Sequence, residues 1–193
     1  MRRSRHSVYR KENKPEATGR LFFALWPPGP AAHALHGWAS AAHAQTGGRI
    51  TREPTIHLTL AFLGDLPLEQ VATLKACAKR VHGRAFEMRL DEGRWWQHNR
   101  IVWAGPREMP EALRDLAAEL ESQLEAAGFR TEKREFKAHV TLVRRAEQGR
   151  DLPEFEPVAW GASEFVLVRS TLTPEGPAYE TLARFPLQAI PPA

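Results

Sequence analysis

The stretch TIHLTLAFLGD, residues 55–65, decides the fold prediction, because it places a histidine and a threonine two residues apart in an otherwise apolar strand. Side chains alternate between the two faces of a strand, so His57 and Thr59 share one face while Leu58 and Leu60 share the other. The apolar face predicts packing into a core. The polar face, with an imidazole and a hydroxyl, predicts a separate role in a site.

The same arrangement recurs in FKAHVTLVRR, residues 136–145, where His139 and Thr141 share a strand face. The segments that lead to the two motifs are also alike. In the first half of the chain the order is LFFALW, a helix, GG and HLTL. In the second half the corresponding order is RIVWAG, a helix, G and HVTL. This order predicts two strand–helix–strand units that pack about a pseudo-two-fold axis, with the two motif strands side by side.

Hydrophobic periodicity and turn residues predict about eight strands and three helices in an α+β order. The clearest predicted strands span residues 20–26, 57–64, 85–93, 100–105, 138–145, 163–172 and 178–187, and the predicted helices span 29–45, 67–83 and 108–128. A loop is predicted for 146–161, which contains two prolines and two glycines, and the sequence TPEG predicts a hairpin turn between the last two strands.

The net charge of +4 belongs to the N-terminal segment, residues 1–19, which holds six basic and two acidic residues. The remainder has 21 basic and 21 acidic residues. We expect a disordered tail at 1–19, one folded domain at 20–187 and a short tail at 188–193. A basic tail can add salt-sensitive affinity for nucleic acid, or it can be a solvated leader, and both interpretations stay open.

Cys77 is the single cysteine of the 193 residues, so neither an internal disulfide nor a cysteine-based zinc site is expected. It falls in a helical pattern and is predicted to pack in the core. A reducing cytoplasm fits this cysteine usage. The sequence has no apolar run long enough to span a bilayer, and its N-terminus lacks the apolar region of a secretory signal. We expect no membrane partner and a monomer.

Two imidazoles and two hydroxyls around one cavity suit the cleavage of a phosphodiester. One neutral imidazole can take a proton from water, and a protonated imidazole can give one to the leaving oxygen. The hydroxyls can donate hydrogen bonds to the non-bridging phosphate oxygens. This chemistry requires no metal and no cofactor. The alternative is structural: each histidine would only bond to its neighbouring threonine in a half-buried sheet.

The chain resembles the two-histidine (2H) phosphoesterase superfamily in RLFFALWPP, HLTLAFLGD, FKAHVTLVRR and STLTPEGPAYETLARFPL. More narrowly, it resembles the bacterial RNA 2′,3′-cyclic phosphodiesterases of the LigT/ThpR type, once called 2′-5′ RNA ligases. The resemblance runs from about residue 20 to 187. It implies a bilobal fold with two pseudo-two-fold-related antiparallel sheets, helices on the outside and a central groove.

The resemblance also implies roles for the motif residues. His57 would be the general acid toward the leaving 3′ oxygen, His139 the general base on water, and Thr59 and Thr141 the phosphate-binding residues. The near-symmetry of the motifs allows the two histidines to exchange roles. Ala138 replaces the proline that commonly precedes the second histidine, which affects the local rigidity of the strand more than the chemistry.

Arg144 and Arg145 follow the second motif directly. Strict alternation would place Arg145 on the face of the histidine, whereas the resemblance assigns phosphate binding to Arg144. Trp95 and Trp96 lie between two predicted strands. They could stack against a terminal base, or they could pack in the core.

Other aromatic and imidazole side chains are assigned structural roles. Trp26 and Trp103 lie in apolar strands and are predicted to be core residues. Tyr179 matches a position of the family, although packing is its expected role. His33 and His36 share one helix face, but no neighbouring carboxylate or cysteine is apparent, so they are expected at the surface and not at a metal.

The function predicted from these observations is hydrolysis of a 2′,3′-cyclic phosphate at the 3′ end of single-stranded RNA, for example a tRNA fragment, to a 2′-phosphomonoester. Three alternatives stay open: 2′-5′ joining of RNA by the same site, hydrolysis of a small cyclic phosphate, and a non-catalytic module that binds RNA ends.

Overall fold

Ten β-strands and three α-helices make up the fold in the part of the chain that the computed structural model describes, residues 17–132, 135–149, 151–174 and 176–189. The elements are β1 (Thr18–Leu25), α1 (Gly29–Thr46), β2 (Arg49–Ile50), β3 (Leu58–Pro67), α2 (Val71–Ala78), β4 (Phe86–Leu90), β5 (Glu92–Trp96), β6 (Ile101–Gly105), α3 (Glu111–Ala126), β7 (Val140–Arg144), β8 (Val158–Ala162), β9 (Glu164–Thr173) and β10 (Gly176–Pro186). Short 3₁₀ turns precede β3 and α2.

Two antiparallel half-sheets meet at the centre of the molecule. The strand order is β10-β9-β1-β3-β7-β6-β5, with β2 paired to β7. We call β10-β9-β1-β3 the first half-sheet and β7-β6-β5 with β2 the second. They join through the register pair Leu58↔Val140 of β3 and β7. Counted outward from this junction, β3 and β1 of the first half-sheet correspond to β7 and β6 of the second, as the internal repeat predicts. The predicted α+β class with two antiparallel sheets is confirmed.

The two long helices cross over between the half-sheets. α1 follows β1 in the chain but contacts β6, β7 and β8, whereas α3 follows β6 but packs on α2 and contacts β3. The leucines of α3 recur every three or four residues and are buried, which is the pattern of a helix with one core-facing stripe. Both helices therefore contribute to one shared core, and the opposite face of the half-sheets is left for the groove.

Three predicted boundaries differ from the structure. The predicted strand 85–93 is two strands in different sheets, β4 paired with β8 and β5 at the edge of the second half-sheet. Asp91 lies between them and accepts a hydrogen bond from the backbone N–H of Arg107 at 2.9 Å, which fixes the change of direction. The predicted loop 146–161 is wrong at its end, where β8 alternates buried and exposed residues. The predicted helix 67–83 is helical only over α2, after a 3₁₀ turn.

The chain termini depart slightly from the predicted limits. β1 begins at Thr18, inside the predicted tail, and residues 1–16 lie outside the described part of the chain. At the other end Gln188 pairs with Arg84, so the folded body extends past the predicted limit at 187. Cys77 is buried, as predicted. Among the described residues, no helix combines the length and apolarity needed to cross a membrane.

Candidate active site

The junction of β3 and β7 brings the two histidine motifs together. Around the antiparallel pair Leu58↔Val140, continuing the register by one residue in each direction sets His57 opposite Thr141 and Thr59 opposite His139. Each imidazole is therefore placed beside the hydroxyl of the other motif. The predicted pairing of the two motifs across one groove follows from this single point of contact between the half-sheets.

Both imidazoles are oriented by the same backbone contact. His57 Nδ1 lies 2.7 Å from the carbonyl oxygen of Thr55, and His139 Nδ1 lies 2.8 Å from that of Lys137. A carbonyl oxygen only accepts, so Nδ1 must carry the hydrogen in both rings. In the neutral tautomer Nε2 then holds the lone pair. Proton exchange at each histidine is thereby assigned to Nε2, on the side of the ring away from its own backbone.

Aromatic rings enclose His57 on several sides. Trp26 stacks on the imidazole with ring centroids 5.0 Å apart, Phe22 lies at 5.0 Å, and Tyr179 meets it edge-on at 5.3 Å. Trp26 is also held by a hydrogen bond from Nε1 to the carbonyl of Pro54 at 3.2 Å. The prediction that Trp26 is a core residue is wrong, because its half-buried ring is one wall of the site.

This enclosure changes the protonation of His57. Burial lowers the pKa of His57 from 6.5 to about 4, the hydrogen bond to Thr55 opposes the change, and positive charge on Arg144 and His139 adds to it. Burial disfavours the charged imidazolium because the aromatic walls solvate it poorly. The ring is therefore neutral at neutral pH in the unliganded site.

His139 has a different aromatic neighbour. Trp96 meets it at 4.8 Å in an edge-on arrangement, and Trp103 packs on Trp96 at 4.6 Å. Trp95, the next residue along β5, points to the opposite face and packs with Val102 and Val143. Since neighbouring strand residues face opposite ways, only Trp96 of the two predicted stacking residues lies on the groove side.

A β-bulge places Arg144 in the groove. The register between β6 and β7 runs Trp103↔Thr141 and then Val102↔Val143, so Leu142 is an extra residue in β7. The bulge resets the alternation, and Arg144 returns to the face of Thr141. Both residues line a cavity of about 150 Å³ that also reaches His57. Arg145 adopts a left-handed φ of 57° and does not belong to that lining.

The first motif contains the same bulge. Thr59 pairs with Ala24 and Ala61 with Phe23, so Leu60 is the extra residue in β3. Phe62 consequently occupies the position in the first half-sheet that Arg144 occupies in the second, and it is 44% exposed. Sequence reasoning did not single out Phe62. Aligning the two motifs, HLTLAF and HVTLVR, would have identified it, because Phe62 and Arg144 are the sixth residues of the two segments.

Three further residues of the cavity were missed or assigned another role. Arg49 and Arg52, in RITREPT just before the first motif, line the cavity, and so does Tyr179, for which packing was expected. Arg49 lies on β2 opposite Arg144 of β7. Burial lowers the pKa of Arg144, an effect that Tyr179 opposes and Arg49 reinforces. The strand β2 has only two residues and therefore no hydrophobic pattern from which the position of Arg49 beside the site could be predicted.

The helix histidines are not isolated. His33 Nδ1 lies 3.3 Å from a carboxylate oxygen of Glu53, and His36 Nδ1 lies 4.0 Å from the same oxygen. The expectation that no carboxylate accompanies them is therefore wrong. Across the described residues, no group of three or more histidine, cysteine, aspartate or glutamate side chains is arranged to hold a metal ion.

Comparisons with known proteins agree with this geometry. The model of the family described as LigT like Phosphoesterase matches two consecutive segments, residues 25–103 and 104–179, each of which contains one histidine motif. The RNA 2′,3′-cyclic phosphodiesterase of Escherichia coli (strain K12) is 32% identical over 170 residues, covering 87% of this chain and 96% of that protein. The protein of the same name from Thermus thermophilus is 32% identical over 179 residues, covering 88% and 90%.

Solved structures give the same result. The crystal structure of E. coli LigT complexed with 3′-AMP superposes with a TM-score of 0.81 at 31% identity, and the match covers 89% of this chain and 99% of that one. The chain therefore shares its overall fold with an experimentally determined structure of a related protein.

Proposed function

The chain belongs to the LigT-like phosphoesterase family, and we propose that it opens the 2′,3′-cyclic phosphate at the 3′ end of RNA to leave a 2′-phosphomonoester. The observation that carries this proposal is the pair of histidines at one strand junction, both held with Nδ1–H on a backbone carbonyl. The names of the relatives at about 30% identity support the same reaction.

The reaction is an attack of water on phosphorus. The general base, His139, takes a proton from water at Nε2 as the new P–O bond forms. The P–O3′ bond breaks, and the general acid, His57, gives its Nε2 proton to the leaving 3′ oxygen. The 2′ oxygen stays on phosphorus, which produces the 2′-phosphomonoester. One proton enters one histidine and one leaves the other, so the two must exchange protonation states before the next cycle.

Charge that develops on the non-bridging oxygens is stabilised by the other groups of the junction. Thr59 and Thr141 can donate hydroxyl hydrogen bonds, and Arg144 can donate guanidinium hydrogen bonds to the same oxygens. The two histidines and Arg144 together supply both proton transfers and the charge stabilisation. We therefore propose that the reaction proceeds without a metal ion.

The assignment of acid and base has a physical condition attached. His57 is neutral in the unliganded site, because burial lowers its pKa to about 4. It can act as an acid only if substrate binding restores its proton, and a bound phosphate anion has the charge to do so. The opposite assignment, with His57 as base and His139 as acid, uses His57 in the neutral form that burial favours.

Trp96 is the proposed base-stacking residue on the second half-sheet. It lies against His139 at 4.8 Å and is half-buried, so part of its ring faces the groove. A base whose cyclic phosphate reaches the histidines could stack there, since aromatic stacking tolerates any base.

The test uses an oligoribonucleotide that ends in a 2′,3′-cyclic phosphate, incubated with the protein in EDTA. We expect a 2′-phosphate product, and a loss of about 10²–10⁴-fold in kcat/KM for His57→Ala and for His139→Ala. His33→Ala, on an exposed histidine outside the junction, is the matched control. Activity unchanged in both motif variants, or a requirement for added metal, would contradict the proposal. A second RNA with a 5′-hydroxyl end in the same tube reports 2′-5′ joining.

A further inference from the structure

The cavity beside the histidines holds more positive charge than a cyclic phosphate needs. Its lining includes three arginines, Arg49, Arg52 and Arg144, and the described residues that line it include no aspartate or glutamate. A 2′,3′-cyclic phosphate is a diester and carries a single negative charge. Arg144 alone matches that charge, so two guanidinium groups remain for another anion.

The arrangement of these arginines carries an electrostatic cost in the unliganded site. Arg49 and Arg144 are register partners on β2 and β7, and like charges that face each other across strands are destabilising. Among the described residues, no carboxylate lies within ion-pair distance of either side chain. The repulsion is relieved when an anion lies between the guanidinium groups.

The third arginine is held at the rim of the same cavity. Arg52 Nη2 donates a hydrogen bond to the carbonyl of Pro177 at 2.6 Å, which fixes the guanidinium against the β9–β10 hairpin. The three arginines converge on the Tyr179 side chain: burial raises the pKa of Tyr179, and the charges of Arg144, Arg49 and Arg52 each oppose that change. Thr51, also in the lining, has a buried hydroxyl with no hydrogen-bond partner among the described residues.

From this cluster we propose that Arg49 and Arg52 form a second anion subsite, which binds the phosphate on the 5′ oxygen of the terminal nucleotide. This inference rests on the proposed function and adds a substrate class to it. In RNA that phosphate is the phosphodiester to the preceding nucleotide, and it is the next anion along the chain from the cyclic phosphate. The subsite therefore selects polynucleotide ends, or 5′-phosphorylated nucleotides, over a bare nucleoside 2′,3′-cyclic phosphate.

The test isolates the 5′-phosphate from the base. Equilibrium binding is measured for adenosine 2′-phosphate and for adenosine 2′,5′-bisphosphate at low salt. Turnover is measured for adenosine 2′,3′-cyclic phosphate, for its 5′-phosphorylated form and for a dinucleotide that ends in a cyclic phosphate. We expect the 5′-phosphate to tighten binding and to raise kcat/KM by about tenfold or more, since charge-assisted hydrogen bonds to phosphate are among the stronger contacts.

Arg49→Gln and Arg52→Gln should each remove most of that gain, and Arg49→Lys and Arg52→Lys, which keep the charge, should restore part of it. Arg114→Gln, on the exposed face of α3, lowers the net charge equally and should keep the whole gain. Thermal unfolding of every variant checks that the hairpin held by Arg52 is intact.

Equal affinity of the wild-type protein for the 2′-phosphate and the 2′,5′-bisphosphate would overturn the inference, as would a gain that survives in both glutamine variants. A gain seen only with the dinucleotide and insensitive to Arg49 would assign the preference to the neighbouring base, and would also overturn it. If no cyclic phosphate is opened, the proposed function fails, but the ratio of the two binding constants still decides whether the subsite exists.

Discussion

Acidification from pH 7.5 to pH 5 should destabilise the protein through His57. The pKa of His57 is about 4 in the folded chain, lowered from 6.5 mainly by burial. The unfolded chain thus binds a proton at pH values where the folded chain does not. The contribution of His57 to the free energy of unfolding is fully present above pH 6.5 and is lost as the pH falls toward 4. The full difference corresponds to about 3 kcal/mol, and about 2 kcal/mol of it is lost by pH 5.

Urea unfolding followed by tryptophan fluorescence measures this loss. The other histidines also titrate, so the comparison is with His57→Asn, whose amide can still donate to the carbonyl of Thr55. The variant should lose about 2 kcal/mol less than the wild-type protein between the two pH values. His33→Asn, which removes an exposed imidazole, is the control and should behave like the wild type. Equal losses in the wild type and His57→Asn would refute the argument that the aromatic walls keep the ring neutral.

Four further outcomes are expected. Arg144→Met should lower kcat/KM by about a hundredfold, because it removes charge-assisted hydrogen bonds to phosphate. It should also raise the pKa of His57 in an NMR titration, and an unchanged pKa would exclude an electrostatic effect of Arg144 on His57. Thr141→Val should lower kcat/KM about tenfold or more with little change in the urea midpoint, whereas a parallel fall in both would indicate a structural role. Gly48→Ala should destabilise the protein by about 1–3 kcal/mol in urea unfolding. Gly48 has a φ of 87°, and a Cβ there would lie 2.5 Å from the carbonyl oxygen of Arg144. Unchanged stability would contradict this close approach. The pH dependence of kcat/KM should show a limb near pH 4, which reports the lowered pKa of His57 in the free protein, and a profile without a limb there would contradict that pKa.

The sequence was most informative where alternation is regular. Leu58, Leu60, Val140 and Leu142 are buried as the strand pattern predicts, which leaves the histidines and threonines on the other face. The repeat of the motif also predicted that the two strands would lie side by side, as the junction at Leu58 shows. Local patterns and one internal repeat were sufficient for this part of the site.

Features that depend on tertiary register were not predictable in the same way. Strict alternation predicts that Arg145 faces the groove, but the bulge at Leu142 shifts the alternation so that Arg144 faces it. A bulge of this kind has no residue type that predicts it from the sequence. Trp26 appeared to be a core residue because an apolar run does not reveal which of its side chains faces a histidine of another strand. Arg49 joins the site through a two-residue strand that is too short to show any periodicity.

The crossed helices link the two histidines to a single folding unit. Neither half of the repeat could close its own core if it were separated, since the helix that covers each half-sheet is encoded in the other half. The pairing of His57 with His139 is therefore a property of the assembled chain, and local unfolding of either half-sheet would disrupt it.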